Sequence, residues 1–451
     1  MKEKVHIISL GCARNLVDSE VMSGLLHQDH YQIISDPTEA DIILINTCSF
    51  IGDAKEESID TILETARLKE EGRLETLIVA GCLPQRYSGK LIKEFPEVDL
   101  FIGTGEVPRI VEILRMHRES RQKRLYVGIP QYLYDHATPR LLAKPSYTAY
   151  LKVSEGCDHQ CAFCVIPQLR GPHRSRPIDS IVREAAALAH DGVKEFNLIA
   201  QDLTAYGRER RDGTTLYALL RKLVLVPGIQ WLRLLYAYPN FLDEPLLRLV
   251  QASENICKYI DIPFQHISGR VLKGMRRGNS GHSVREALDR LRRMIPDVTV
   301  RTSLVVGFPG ETNEDFHELL DFVQEAQFDR LGVFKYSKEE GTVAALMNGQ
   351  ISEEEKERRW QEVMEIQAEI SREKNEALIG TVQRVMVDDY DPDTEKLSGR
   401  TQAHAPDVDG VVYVDHHRNG GVERKFRPGD LVDVKITEAL DYDLIGDIVK
   451  S

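Results

Sequence analysis

The chain has 451 residues, 42% hydrophobic and 29% charged, a composition that suits a soluble protein with two or three cores rather than one. A formal net charge of −13 argues against a general nucleic-acid binder, because phosphate recognition needs a basic face that releases counterions. The sequence holds no apolar run of membrane-spanning length, and its start, MKEKVHIISLGC, passes from charged residues straight into a strand. A cytosolic protein is expected, with thiols kept reduced and no membrane partner.

In chain order, KVHIISLGC, ADIILINTC and ETLIVAGC are short, β-branched apolar runs. Helical patterns follow each of them: NLVDSEVMSGLLHQ, AKEESIDTILETARLKEE and RYSGKLIKEF. With a further strand in VDLFIGTG, this alternation predicts a parallel-sheet domain over residues 1–115. Residues 116–146 are polar and proline-bearing, and a linker with a short hairpin is expected there. Over residues 147–379 six strand candidates alternate with helices: YTAYLKVSEGC, VKEFNLIAQD, IQWLRLLYAYP, CKYIDIPFQH, VTVRTSLVVGFP and DRLGVFKYS. They predict a partial (β/α) barrel with its chemistry at the C-terminal strand ends, followed by a charged helix from Ser352 to Leu378. Residues 380–451 change to short strands with turns (TVQRVMVDDY, DGVVYVD, DLVDVKITEAL, DLIGDIV) and predict a small β-barrel.

Three of the seven cysteines, Cys157, Cys161 and Cys164, fall in CDHQCAFC at the end of the first barrel strand. Zinc sites usually pair two C-x-x-C motifs, and no second pair is present. Three thiolates can hold three irons of a four-iron cluster and leave the fourth iron open to a cofactor or substrate. Cys12, Cys48 and Cys82 lie 36 and 34 residues apart, yet each stands just beyond an apolar strand. In a parallel sheet, such equivalent positions meet at one edge. They are expected to form a second cluster site of the same three-thiolate kind, with the residues before Cys12, Cys48 and Cys82 leaving room for close approach. Buried packing is the competing reading for each cysteine singly. Cys257, near the start of a barrel strand, is expected to be packing.

These residues resemble a known family, the radical S-adenosylmethionine methylthiotransferases. CDHQCAFC, with Phe163 before its last cysteine, is similar to the family's cysteine loop. SLGCARNLVDSE, INTCSFIGDAKEES and VAGCLPQRY resemble its N-terminal domain, while IDIPFQHIS, RTSLVVGFPGET and FKYSKEEGTVAA resemble its barrel, and the tail resembles a TRAM domain. The resemblance implies two [4Fe-4S] clusters, on Cys157, Cys161 and Cys164 and on Cys12, Cys48 and Cys82. It implies S-adenosylmethionine chelated by the open iron of the first, cleaved to a hydrogen-abstracting 5′-deoxyadenosyl radical, and sulfur supplied from the second. An electron donor and a sulfur source are implied as partners, and a monomer is expected.

Further cofactor-binding candidates follow from the barrel strand ends. Gln201 and Asp202 are candidates to touch substrate or cofactor, Asp202 alternatively capping a helix. Gln265 and His266 end the fourth strand, with a scaffold role the alternative for the histidine. Gly307 and Gly310 could let backbone approach the adenosyl group, with Glu311 behind, although a simple turn explains the same letters. Arg174 and Arg176 could pair with the S-adenosylmethionine carboxylate, an exposed basic loop being the alternative.

The family divides between enzymes acting on tRNA adenosine and one acting on an aspartate β-carbon of the ribosomal small-subunit protein numbered twelve. Residues 381–451 carry nine Lys or Arg against fifteen Asp or Glu, a sign that repels phosphate and attracts a basic ribosomal protein. GRTQAHAPDVDGVVYV, with Asp407 and Asp409, and AQDLTAYG resemble the protein-modifying branch. That substrate is therefore expected, with a tRNA methylthiotransferase and an iron–sulfur electron carrier as the alternatives.

Overall fold

The computed structural model describes residues 2–72, 74–120, 124–143, 147–391, 396–415 and 426–449. The N-terminal sheet comprises β1 (Lys4–Ser9), β2 (Gln32–Ile33), β3 (Ile42–Thr47), β4 (Thr76–Gly81), β5 (Leu100–Gly103) and β6 (Leu125–Tyr126), all parallel in the order β2-β1-β3-β4-β5-β6. β3 is buried along its whole length, as a strand covered by helices on both faces must be. Its crossovers are α1 (Ala13–Gln28), α2 (Gly52–Glu70), the broken pair α3 (Cys82–Tyr87) and α4 (Gly89–Glu94), and α5 (Ile110–Ser120).

The expected linker is corrected by the structure. α5 runs to Ser120, and β6 adds a sixth parallel strand to the first sheet. The expected hairpin is absent among the described residues of this stretch, which then crosses to the barrel as an extended strap. Arg140 anchors that strap, bridging Glu20 of α1 and Glu184 of the barrel at 2.6 and 2.8 Å.

The central sheet carries β7 (Thr148–Lys152), β10 (Glu195–Ile199), β11 (Trp231–Leu234), β12 (Ile256–Asp261), β13 (Thr299–Val306) and β14 (Arg330–Lys335), parallel and in sequence order. Between β7 and β10 lie a small antiparallel pair, β8 (Ser154–Glu155) and β9 (Arg174–Ser175), and the helices α6 (Ile166–Arg170) and α7 (Ile178–His190). The later crossovers are α8 (Leu216–Leu223), α9 (Glu244–Ala252), α10 (Gly269–Gly274) with α11 (Gly281–Met294), and α12 (Asn313–Ala326). Outward side chains such as Leu198, Leu232 and Val300 pack under these helices in the largest core. α13 (Glu353–Glu376) leads to a closed barrel of β15 (Val382–Asp391), β16 (Lys396–Arg400), β17 (Val412–Asp415), β18 (Leu431–Ala439) and β19 (Leu444–Ile448).

The loop after β16 enters the lumen of the central barrel from the N-terminal ends of its strands. Asp409 accepts from Tyr259 Oη at 2.7 Å and faces Arg301, and Asp407 accepts from Tyr150 Oη at 3.1 Å. Arg233 donates to the Gln402 carbonyl, and Arg400 meets the buried Glu195. Asp407 and Asp409 are thus docking groups that hold the tail to the barrel. Cys257, fully buried beside Trp231, Tyr259 and Ala405, is packing as expected.

Candidate functional site

The N-terminal cysteines arise from one repeated position. Cys12 caps α1, Cys48 follows β3 and Cys82 opens α3, at the ends of the adjacent strands β1, β3 and β4. Glycine is required beside two of them. Gly11 has φ +84°, and a Cβ there would lie 2.6 Å from Cys48 Cβ; Gly81 has φ +96°, and its Cβ would lie 2.3 Å from Asn46 Oδ1. The close approach that these glycines permit is to the neighbouring strand end. Asn15 ties that edge together, donating to the carbonyls of Leu10 and Thr47 at 3.1 and 2.9 Å.

The barrel cysteines sit in a loop after β8, each half-buried. The Cys157 amide donates to the Gly171 carbonyl, and Ile166 N–H donates to Cys164 Sγ at 3.4 Å. Arg277 Nη1 reaches Cys161 Sγ at 3.7 Å. His159, within the loop, is held by Asp202 Oδ2 at 2.7 Å and stacks on Tyr238 at 4.3 Å.

α6 connects the two groups. Val165 and Leu169, directly after Cys164, pack against Cys82 of the other domain. The helix ends at Arg170, whose guanidinium reaches Asp18 and Asn15 at 2.5 Å each, Cys82 Sγ at 3.8 Å and Glu155 at 3.6 Å. Lys152 completes the interface, bonding Asp18 at 2.6 Å and Glu155 at 2.8 Å. Burial alone would raise the Glu155 carboxyl, but Lys152 and Arg170 hold it below the usual carboxylate range. Arg14 adds a third link, donating to the Ala200 carbonyl at 2.7 Å and lying over the Tyr236 ring.

The thiols respond to this surrounding. Burial pushes Cys82 and Cys164 up to about 12 and Cys157 up to about 11. Burial also acts to raise Cys12, yet Arg14 and Arg170 outweigh it and hold that thiol below its ordinary value. Such buried sulfurs suit a bound cation, which takes over the charge that burial penalises. Among the described residues no three His, Cys, Asp or Glu side chains can hold a single metal ion. Three thiolates at each position are the donor number that a four-iron cluster with one open iron takes.

The loops at the C-terminal strand ends hold buried polar atoms without partners. Ser154 Oγ, Gln201 Oε1, His266 Nε2, both amide atoms of Asn279 and Tyr336 Oη are buried without a hydrogen-bond partner. Unpaired buried polar atoms are costly, and several facing the same strand ends suit a ligand with amino, carboxylate and hydroxyl groups.

The other expected site residues divide. Gln201 donates to Glu155 at 2.8 Å beside the cysteine loop, and Phe163 packs with Phe308, Tyr336 and Ala344. Asp202 Oδ1 caps the turn at Leu203–Ala205, the alternative expected for it, while its other oxygen braces His159 of the cysteine loop. Gln265 holds a left-handed backbone, φ +74°, next to the fully buried His266. Glu311 instead serves the loop itself, accepting from the amides of Gly307 and Phe308 at 2.6 and 3.0 Å. The space at Gly307 is taken by the Lys356 stem, and Gly310 donates to the Gly349 carbonyl. Arg174 bonds the carbonyls of Pro172 and Arg170. Arg176 is corrected: it is buried rather than exposed, and the carboxylate it meets is Glu184, at 2.6 Å. Asn15, Asp18, Lys152, Glu155 and Arg170 escaped the sequence reading; Asn15 and Asp18, polar at helical spacing on the buried face of α1, were the available signal.

Comparison with known proteins agrees with this geometry. Residues 4–103 match Uncharacterized protein family UPF0004, residues 151–323 the Radical SAM superfamily and residues 379–449 the TRAM domain. A relative from Pelobacter propionicus named ribosomal protein uS12 methylthiotransferase RimO is 53% identical over 99% of this chain and 98% of its own length. A protein of the same name from Geobacter sulfurreducens is 51% identical over 99% of each. Among solved structures, the radical S-adenosylmethionine methyltransferase TsrM from Kitasatospora setae superposes with a TM-score of 0.55 at 16% identity, covering 74% of this chain and 72% of that one. The cobalamin-dependent S-adenosylmethionine radical enzyme OxsB gives 0.53 at 13% identity, over 81% of this chain and 56% of that one. Both show a shared fold. Full-length identity near one half, with all three domains in order, places the chain in the RimO-type family of radical S-adenosylmethionine methylthiotransferases.

Proposed function

We propose that the chain attaches a methylthio group to the β-carbon of an aspartate in ribosomal protein uS12, using S-adenosylmethionine and two [4Fe-4S] clusters. The observation that carries this reading is α6 with Val165 before it: Val165, Leu169 and Arg170 join the cysteine loop of the barrel to Cys82 and its neighbour Asn15 in the N-terminal domain. Cys157, Cys161 and Cys164 would hold one cluster, and Cys12, Cys48 and Cys82 the other. When bound, the first with S-adenosylmethionine supplies a radical that abstracts hydrogen, and the second supplies sulfur.

The residues of the chain orient and shield. Asp202 and His159 fix the cysteine loop, and Arg170 fixes the distance between the two groups. The buried Asp18, Glu155 and Lys152 exclude water between the domains. The acidic tail supports a basic protein substrate, since it repels nucleic-acid phosphate. No helix among the described residues is long and apolar enough to cross a membrane.

The test is mass spectrometry of ribosomal proteins and tRNA nucleosides from a strain lacking the chain. Loss of a CH₃S-for-hydrogen replacement on uS12 alone is expected; its loss from tRNA adenosine alone would transfer the chain to the other branch. Cys12→Ala is expected to keep reductive cleavage of S-adenosylmethionine while losing the methylthio product, whereas Cys157→Ala loses both.

A further inference from the structure

We propose that the exposed rim of the Cys157–Cys164 loop is the docking face for an acidic one-electron carrier protein. The proposal rests on assigning that loop to an iron–sulfur cluster. Three cations border it, Arg208, Lys273 and Arg276, and Arg211 follows in the same loop as Arg208; all four are exposed, and none forms an ion pair with a carboxylate among the described residues. Arg208 lies over the Phe241 ring at 3.3 Å, and Phe241 stacks in turn on His159 of the cysteine loop at 6.3 Å. Lys273 and Arg276 flank Met275, whose carbonyl accepts from the Ala162 amide at 2.9 Å, between Cys161 and Cys164. Of the acids nearby, Asp212 is paired with Arg210, whereas Glu209, bonded to Ser175, and Asp158, bonded to the His173 amide, keep their charge, so the four cations outnumber the two remaining carboxylates.

Charge makes this face selective. The chain carries −13 overall, so an acidic partner is repelled from most of its surface and drawn to a local excess of unpaired cations. The cysteines there are half-buried rather than enclosed, which leaves a short path for an electron. The stack of Arg208, Phe241, Tyr238 and His159 holds the rim rigid against the loop, so little ordering is lost on docking. In the step itself the carrier is oxidised by one electron and the cluster on Cys157, Cys161 and Cys164 is reduced by one; no bond or proton moves. Ribosomal RNA is the competing occupant of a basic face.

The experiment uses the full reconstituted chain and follows bleaching of cluster absorbance in stopped flow, with reduced plant-type ferredoxin or with dithionite. The triple variant Arg211→Glu, Lys273→Glu, Arg276→Glu is expected to slow reduction by ferredoxin at least tenfold at low ionic strength and to flatten its salt dependence, with the dithionite rate within twofold. The neutral variant Arg211→Gln, Lys273→Gln, Arg276→Gln should fall between, and serves if charge reversal lowers iron content. Unchanged ferredoxin rates would overturn the proposal, as would loss of small-subunit binding in sedimentation with ferredoxin rates intact. Failure of both reductants on the unmodified chain would instead remove the cluster assignment.

Discussion

Arg170→Met removes the guanidinium between the two cysteine groups while keeping an unbranched side chain of similar reach. Two carboxylates, Asp18 and Glu155, are balanced in the structure by two cations, Lys152 and Arg170. Without Arg170 one buried negative charge is left over, and Asn15 Oδ1 loses its guanidinium donor. The side chains of Arg170 and Asp18 are only 4% and 7% exposed, so the regime is that of buried pairs and not the near-zero one of surface pairs. Breaking such a pair from one side costs about 3–5 kcal/mol. Urea unfolding should show that loss in the transition that separates the N-terminal domain from the barrel.

The pH dependence has a definite sign. Glu155 has a lowered folded pKa, so its contribution is present at neutral pH and is lost as pH falls from the ordinary carboxylate range through the folded value. In Arg170→Met one of the two cations lowering it is gone, and acid unfolding should begin at higher pH. Arg170→Lys keeps the charge, but a single ammonium cannot match the fork that serves Asp18 and Asn15 together, so an intermediate loss is expected. A change under about 1 kcal/mol in Arg170→Met, with the acid midpoint unmoved, would refute the account of the interface.

Gly81→Ala forces a Cβ to 2.3 Å from Asn46 Oδ1 on a backbone at φ +96°; a cost of about 1–3 kcal/mol is expected, with iron analysis showing loss of the N-terminal cluster alone. Burial, aided by Arg330, Arg233 and Arg400, holds the pKa of His404 well below its ordinary value. Stability of the docked tail should therefore fall as pH drops below about 6.5, by up to ~1.4 kcal/mol per pH unit, and His404→Gln should flatten that slope in thermal melts. Cys257→Ala should leave iron content and S-adenosylmethionine cleavage unchanged, since that thiol packs among Trp231 and Tyr259; a loss of iron would show that it is a ligand.

The domain order and the placing of Cys12, Cys48 and Cys82 at neighbouring strand ends were legible in the sequence because each rests on a short-range pattern. Apolar runs marked the strands, and the position just beyond a strand marked Cys12, Cys48 and Cys82. β16 was missed because Lys396–Arg400 reads KLSGR, with a serine and a glycine where β-branched residues usually announce a strand. β6 has two residues, too few for any period to register. Arg176 was misread because a loop with several cations looks exposed locally, whereas Glu184 and the Tyr134 ring enclose it from elsewhere in the chain. The Arg170 network was hidden for a related reason: its members lie at 15, 18, 82, 152, 155 and 170, and no local window contains both domains.

The tail gives the sharpest case of a composition argument that needs the structure. Its excess of acids supports a basic partner only to the extent that those acids are free. Asp388 meets Arg400 at 2.8 Å, Asp433 meets Arg384 at 3.0 Å, and Asp407 and Asp409 hold Tyr150 and Tyr259. Asp409→Ala removes the acceptor for both Tyr259 Oη and the Ala405 amide, and leaves Arg301 with Asp261 alone. Two buried donors without a partner cost about 1–3 kcal/mol each, enough to loosen the loop in the barrel lumen. Limited proteolysis between α13 and β15 should then speed up several-fold, while Asp441→Ala, whose carboxylate is half-exposed and paired with Arg372, should leave it unchanged. Equal cleavage of the two variants would mean that the tail is held by packing alone. Its acids would then be free for a partner, where this account assigns Asp407 and Asp409 to the barrel.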